Sequence, residues 1–300
     1  MLMLDTIQLR TFAAVVAEGS FDAAARLLHV TPSAVSQRVK ALEEVVGQVL
    51  VRRHRPCRPT EAGKPLLRLA GQFALLEREA LTEAQQGMSG GGQGRSRLAA
   101  VVNADSLATW FPTALARVSN QLDISFDIRQ DDEEHTAELL RDGSVMAAVT
   151  SLREPVQGCR AKPLGAMRYH PLGAPALVAR WFPDGIATAE TLAAAPVIVF
   201  NRKDQTQHRF LRSVTGQDLE PPVHYVPSVP AFVEAIRQGL GWGLVPEQIA
   251  AADLTRGTCL DIVPDWQVDV PLYWQHWRLE SAALNALTAA VRAVTTETLH

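Results

Sequence analysis

Residues 87–94 read "GMSGGGQG", five glycines in eight positions. Glycine loses more freedom than any other residue when fixed into a helix or strand, so this stretch builds no core and carries no regular element. The 300-residue chain is therefore expected to fold as separate units on either side, consistent with roughly 100 to 200 residues per domain. Just before the glycines, "EAGKPLLRLAGQFALLEREALTEAQQG" keeps Leu66, Leu69, Phe73, Leu76, Ala80 and Ala84 at spacings of three or four. That is the stripe of one long amphipathic helix. Thr60 supplies its cap, and at 1.5 Å per residue it spans about 40 Å. A helix so long and one-sided cannot bury its stripe locally and calls for a partner helix, most simply its own copy in a dimer.

Upstream of that helix the signals are short and closely spaced. Leu9, Phe12, Ala13 and Val16 form one apolar stripe that stops at Gly19. Ser20 caps "FDAAARLLH", and Thr31 with Pro32 opens a third helix that ends at Gly47. At 100 degrees per residue, Val35, Val39, Leu42 and Val46 of this third helix share an arc of about 60 degrees, the buried side. Ser33, Ser36, Gln37 and Lys40 share a second arc of about 100 degrees, with Arg38 on its flank. Any surface helix has a polar face. This one, however, shows hydroxyls, an amide and cations with no acid before Glu43, which suits a DNA major groove. "VLVRRHRPCRPT" follows as a short strand and a basic tip, a wing carrying Arg52, Arg53 and Arg55 toward phosphates.

Charge divides the chain the same way. Up to Arg58 there are eight Lys and Arg against five Asp and Glu, which leaves 21 against 27 for the remainder. A polyanion partner, if present, belongs to the N-terminal unit. No apolar run approaches the roughly 18 to 20 residues of a membrane span, and "MLMLDTIQLR" lacks the pattern of a signal peptide, so the expected location is the cytoplasm with no membrane partner. Cys57, Cys159 and Cys259 form no Cys-x-x-Cys pair and read as reduced thiols. His170, His208, His224 and His276 are scattered, no metal site is expected, and no nucleophile and base pattern marks a catalytic residue. "GLGWG" follows a helix instead of opening one and is not a dinucleotide fingerprint.

Beyond the glycines, "RLAAVV", "DISFDIRQ", "MAAVTS" and "PVIVF" read as buried strands, and "ATWFPTALARVSN", "HTAELLRDG" and "VPAFVEAIRQGLG" as helices. This alternation argues for parallel α/β layers. Residues 5–63, with "FAAVVAEGSFDAAARLLHVTPSAVSQRVKALEEVVGQVLVRR" and "PTEAG", resemble the DNA-binding domain of LysR-type transcriptional regulators, and the plan of the whole chain matches that family. "VNADSLATWFP", "LGAMRYHPL", "GLGWGLVPE" and "VPLYWQHW" resemble its ArgP/LysG branch, whose members sense basic amino acids and control an exporter for them; some have also been described as inhibitors of chromosome initiation.

The fold class this implies is α/β: a winged helix-turn-helix (1–59), a linker helix for dimerisation (60–87), a hinge (88–95) and an effector domain (96–300) resembling periplasmic binding proteins. Its two lobes are expected at about 96–168 plus 268–300 and about 169–267. The resemblance implies double-stranded DNA and further copies of the chain, in a dimer or tetramer, as partners, and leaves RNA polymerase open as another. It implies no cofactor, only a small-molecule effector, L-lysine, L-arginine or L-histidine. Ser20, Thr31, Ser33, Ser36, Gln37, Arg38, Lys40, Arg52, Arg53 and Arg55 are the expected DNA contacts.

In α/β domains ligands sit at the carboxyl ends of strands and at helix N-termini. That places Asn103, Asp105, Ser106 and Thr109 at one turn, Asp132 and Glu133 within the run "DDEE" at a second, and Thr150 and Ser151 at a strand end. Asn201 and Trp242 are the expected contacts from the second lobe, while Tyr273, Trp274 and Trp277 are expected to pack the core and a crossover strand. Acids suit ammonium or guanidinium groups, although Asp and Ser at helix starts are also ordinary caps. The alternative function is a non-regulatory amino-acid-binding protein, against which the N-terminal 90 residues and the missing export signal argue.

Overall fold

The computed structural model describes residues 4–85, 96–131, 133–183, 185, 187–264 and 266–300. The N-terminal unit begins with α1 (Thr6–Glu18), α2 (Phe21–Leu27) and α3 (Pro32–Val46). The Asp5 side chain accepts the Ile7 and Gln8 N–H groups at the start of α1, and Gly19, at φ 67°, closes its end in the left-handed conformation that favours glycine. Phe12, Val15, Val35, Val39 and Leu42 meet in a small core of their own. The wing is the antiparallel pair β1 (Val51–Arg52) and β2 (Arg58–Pro59). The long helix α4 (Gly63–Gln85) adds Leu67 and Ala70 to the same core. Leu69, Leu76 and Leu81 of α4 are 39%, 41% and 55% exposed, an apolar edge that this chain leaves uncovered. The expected hinge, 88–95, lies outside the described residues.

The remainder holds β3 (Ser96–Val102), α5 (Ala104–Ala108), α6 (Phe111–Ser119), β4 (Ile124–Gln130), α7 (Glu133–Arg141) and β5 (Ala147–Thr150). There follow β6 (Cys159–Gly173), α8 (Pro175–Trp181), α9 (Ala189–Ala194), β7 (Val197–Val199), α10 (Thr206–Thr215), β8 (Val223–Tyr225) and α11 (Val229–Arg237). The chain closes with β9 (Gly243–Pro246), α12 (Glu247–Arg256), β10 (Leu260–Asp261), β11 (Val268–Trp277) and α13 (Ala282–Thr298). β3 pairs in parallel with β4 and β5. The parallel α/β expectation is corrected for the rest of the main sheet, where β11, β6, β9 and β10 join antiparallel.

The cause is one long pair. β6 and β11 run antiparallel from Val268↔Tyr169 to Trp277↔Cys159, with a register shift at Leu272/Tyr273. One end of β11 pairs with β5, whereas the other end of β6 pairs with β9. The strands β3–β5 with α6, α7 and α13 form a first lobe on one side of this crossing. The strands β7–β10 with α8–α12 form a second on the other. At the crossing Gly165 has φ 115°, and a Cβ there would lie 2.8 Å from the His300 carbonyl oxygen. Only glycine lets the chain turn and approach so closely at this point.

Candidate functional site

Two surfaces carry chemistry. On α3 the burial of Val35, Val39 and Leu42 leaves Ser33, Gln37 and Lys40 exposed, with Ser36 and Arg38 half-buried. Ser20 and Thr31 accept the Ala23 and Ala34 N–H groups at 3.1 and 3.2 Å. As helix caps they keep a hydroxyl hydrogen that can be donated to phosphate. Arg52, Arg53 and Arg55 of the wing are exposed, and the Arg53 guanidinium sits 5.0 Å from the centroid of the Phe21 ring, which holds the basic tip beside α2. At the far end of α3, Glu43 accepts the Leu50 N–H at 2.8 Å, turned away from the polar edge, whereas Glu44 lies 3.6 Å from Lys40, the last residue of that edge.

The second surface is a cleft of about 920 Å³ between the lobes, within the range of small-molecule sites. The end of β3, the start of α5 and the end of β5 contribute Asn103, Asp105, Thr150 and Ser151 from the first lobe. The end of β7 and the start of α10 contribute Asn201, Lys203, Asp204, Gln207 and Arg209 from the second. Phe200, Val229, Phe232 and Leu244 form an apolar wall beside them. The Tyr169 hydroxyl, on β6, donates to Asp105 Oδ2 at 2.7 Å. Burial pushes the Asp105 carboxyl up to about 6, against the pull of the Tyr169 bond and with a further push from the charge of Asp204.

Around α10 the backbone is shaped by two Asx-type turns. Asn201 Oδ1 accepts the Lys203 and Asp204 N–H groups at 2.8 and 3.1 Å, and Asp204 Oδ1 accepts the Thr206 N–H at 2.9 Å. Gln207 is 3% exposed, and neither its Oε1 nor Asn103 Oδ1 meets a partner among the described residues. A buried oxygen left unpaired costs about 1–3 kcal/mol, so both walls favour an arriving N–H donor. Asp105, Asp131 and Asp204 stand against Lys203 and Arg209 in the lining. That balance complements a molecule with one more cation than anion.

The cleft thus gathers Asn103, Asp105, Thr150, Ser151 and Asn201 of the residues expected from sequence. It does not gather Ser106, Thr109 or Trp242, and these are corrections. Ser106 is fully buried on the inner side of α5, Thr109 turns its hydroxyl back to the Asp105 carbonyl at 2.7 Å, and Trp242 is buried against Phe210, ring centroids 5.2 Å apart. Of this stretch only Asn103, Ala104 and Asp105 line the cleft, so spacing from Asp105 assigned too many residues. Asp132 and the side chain of Glu133 lie outside the described residues. Sequence reasoning missed Tyr169, Asp204 and Gln207. "NRKDQTQH" after a strand and before a helix is a signal that could have found the last two, whereas a tyrosine within a strand leaves none. Among the described residues no group of three or more His, Cys, Asp or Glu could hold a metal ion, and the three cysteines are buried and unpaired.

Comparison with known proteins matches the same two parts. Residues 7–64 match the bacterial regulatory helix-turn-helix protein, lysR family, and residues 89–296 the LysR substrate binding domain. The HTH-type transcriptional regulator LysG of Mycobacterium tuberculosis is 50% identical over 291 residues, 97% of this chain and 93% of the relative. The lysine export transcriptional regulatory protein LysG of Corynebacterium glutamicum is 44% identical over 291 residues, 96% of this chain and 97% of the relative. The crystal structure of ArgP from Mycobacterium tuberculosis superposes with a TM-score of 0.89 at 48% identity, covering 99% of both chains. Full-length LysG from Corynebacterium glutamicum with bound effector Arg superposes with a TM-score of 0.80 at 42% identity, covering 99% of this chain and 100% of that one. With the winged unit, the long helix and the interlobe cleft in place, the chain belongs to the LysR family of DNA-binding transcriptional regulators.

Proposed function

We propose that this regulator binds a basic amino acid, L-lysine, L-arginine or L-histidine, in the interlobe cleft and controls a gene for amino-acid export. Its copies pair through the uncovered edge of α4, as a dimer or a tetramer, and present two or more α3 helices to a partly symmetric DNA site. The observation that carries the effector class is Asp105, a carboxylate held in the cleft at a desolvation cost that a cation offsets. The excess of acids over cations around it and the apolar wall, which fits an aliphatic stem, support the same class. So do the names of the relatives, one a lysine export regulator and one solved with arginine.

The test is a thermal-shift screen of lysine, arginine and histidine against neutral and acidic amino acids, followed by footprinting on chromosomal DNA with the best ligand. Basic amino acids are expected to raise the melting temperature and alter the footprint. Stabilisation by neutral or acidic amino acids alone refutes the effector class. The absence of a salt-sensitive preference for any chromosomal site over random DNA refutes the regulatory role.

A further inference from the structure

We propose that Asp204 is the second-lobe carboxylate that, facing Asp105 across the cleft, grips the side-chain cation of the effector and makes a positive charge the condition for binding. The proposal rests on the basic-amino-acid reading above and adds the residue that sets its charge requirement. Asp105 and Asp204 line the same cavity from opposite lobes. Each has one oxygen held by a neutral donor: Tyr169 Oη on Asp105 Oδ2 at 2.7 Å, and the Thr206 N–H on Asp204 Oδ1 at 2.9 Å. Neither donor cancels a charge. With both carboxylates on the walls of one cavity, the charge of Asp204 adds, after burial, to what holds the Asp105 carboxyl above its ordinary range, so the two oppose one another when no cation lies between them.

Two like charges in a poorly solvated cleft repel, and one cation between them replaces that repulsion with two attractions. A neutral molecule of the same shape brings no charge between the two carboxylates, and Lys203 and Arg209 in the lining leave the acids in excess by one, so rejection is built into the site as well as attraction. An ammonium with three donors and a guanidinium with five can each serve both carboxylates, so the pair selects charge before shape. Asp131 cannot take this part, because it lies on the first lobe with Asp105 and cannot draw the lobes together.

The experiment measures the Kd of L-arginine and of L-citrulline, its neutral isostere, by calorimetry on the full chain, as wild type, Asp204→Asn and Asp204→Ser. Both substitutions keep an acceptor for the Thr206 N–H, so the turn before α10 is preserved. Arginine binding is expected to weaken at least tenfold in both variants while citrulline binding holds or improves. The arginine-to-citrulline preference then falls at least tenfold. A preference that stays within threefold of wild type overturns the proposal, whether the two ligands bind as before or weaken together. If the wild type binds none of arginine, lysine and histidine, the basic-amino-acid reading itself falls; if it binds arginine and the preference survives substitution, only the role of Asp204 is lost.

Discussion

Effector affinity should depend on pH over a range where an ordinary aspartate gives none. The Asp105 carboxyl is pushed from 3.8 to about 6 in the empty cleft. If the cation binds only the ionised form, the observed Kd scales with the protonated excess, and moving from pH 7 to pH 5 weakens arginine about tenfold. A carboxyl at 3.8 would change the same Kd by less than about 10%. Arginine keeps its charge over this interval, and no histidine lines the cleft among the described residues, so the profile reports the carboxylates. The other charged groups facing the cavity are Asp131, Lys203, Asp204 and Arg209. Calorimetry at pH 5, 6 and 7 at fixed ionic strength, in buffers of different ionisation enthalpy, should also show about half a proton released per arginine at pH 6. The same shift has a stability sign. Because folding raises this pKa, Asp105 opposes folding of the empty protein at pH above about 6, by up to about 3 kcal/mol. That opposition fades as pH falls through 6 toward 3.8. Asp105→Asn should therefore raise the melting temperature of the empty protein at pH 7.5 and remove the pH dependence of whatever arginine binding remains. A Kd that is flat between pH 5 and 7 in the wild type refutes the reasoning.

Three further outcomes are expected. Gln37→Ala should change base preference at one position of the DNA site by about 1–3 kcal/mol, whereas Arg53→Ala should weaken binding to all sequences and reduce the salt slope by about 1, both read by fluorescence anisotropy. Leu76→Glu with Leu81→Glu, on the uncovered edge of α4, should shift the protein toward monomer in light scattering without lowering arginine affinity. Glu79→Ala removes the acceptor of Ser281 Oγ at 2.6 Å and of the Ala283 N–H at 3.1 Å; loss of such a cap should cost about 0.5–2 kcal/mol in denaturant titration.

Much of the fold is written locally. Thr31, Pro32 and Gly47 bound α3 because capping is settled within four residues, and β3, β5 and β7 are short apolar runs whose burial needs no partner to be recognised. The crossing of β6 and β11 is not local. Its 15-residue strand "CRAKPLGAMRYHPLG" mixes exposed and buried residues because its two halves belong to different lobes, and no single period describes it. The cleft shares that difficulty. Asp105 was legible as the residue at a strand-to-helix turn, but Tyr169 reaches it from 64 residues away, and a contact between lobes leaves no spacing in the chain. Trp242 misled for the opposite reason: a tryptophan in a glycine-rich turn looks like a ligand platform, yet it fills the space beside Phe210.

What the cleft can tell the DNA depends on what α4 is fastened to. Leu67 and Ala70 of α4 belong to the core that also holds α3, so the start of α4 is packed rigidly against the helix proposed to read DNA. Farther along, Arg68 donates to the Gln157 carbonyl at 3.0 Å, Gly71 admits the Trp277 ring so closely that a Cβ would lie 3.0 Å from it, and Glu79 caps α13. All three contacts are with the first lobe. Trp277 ends β11, whose Tyr273 is in register with Thr150 at the cleft, so the cleft wall and α4 are joined through one strand. Any closure of the cleft would therefore have to displace the second lobe, because the first is fastened to α4. An effector changes an equilibrium only by its preference for one arrangement over another, so on the proposed basic-amino-acid reading arginine would act either by straining these α4 contacts or by carrying the second lobe against another copy. The Glu79→Ala protein separates the two: if the first route operates, its footprint loses the arginine response, and if the second operates, the response survives the loosened contact.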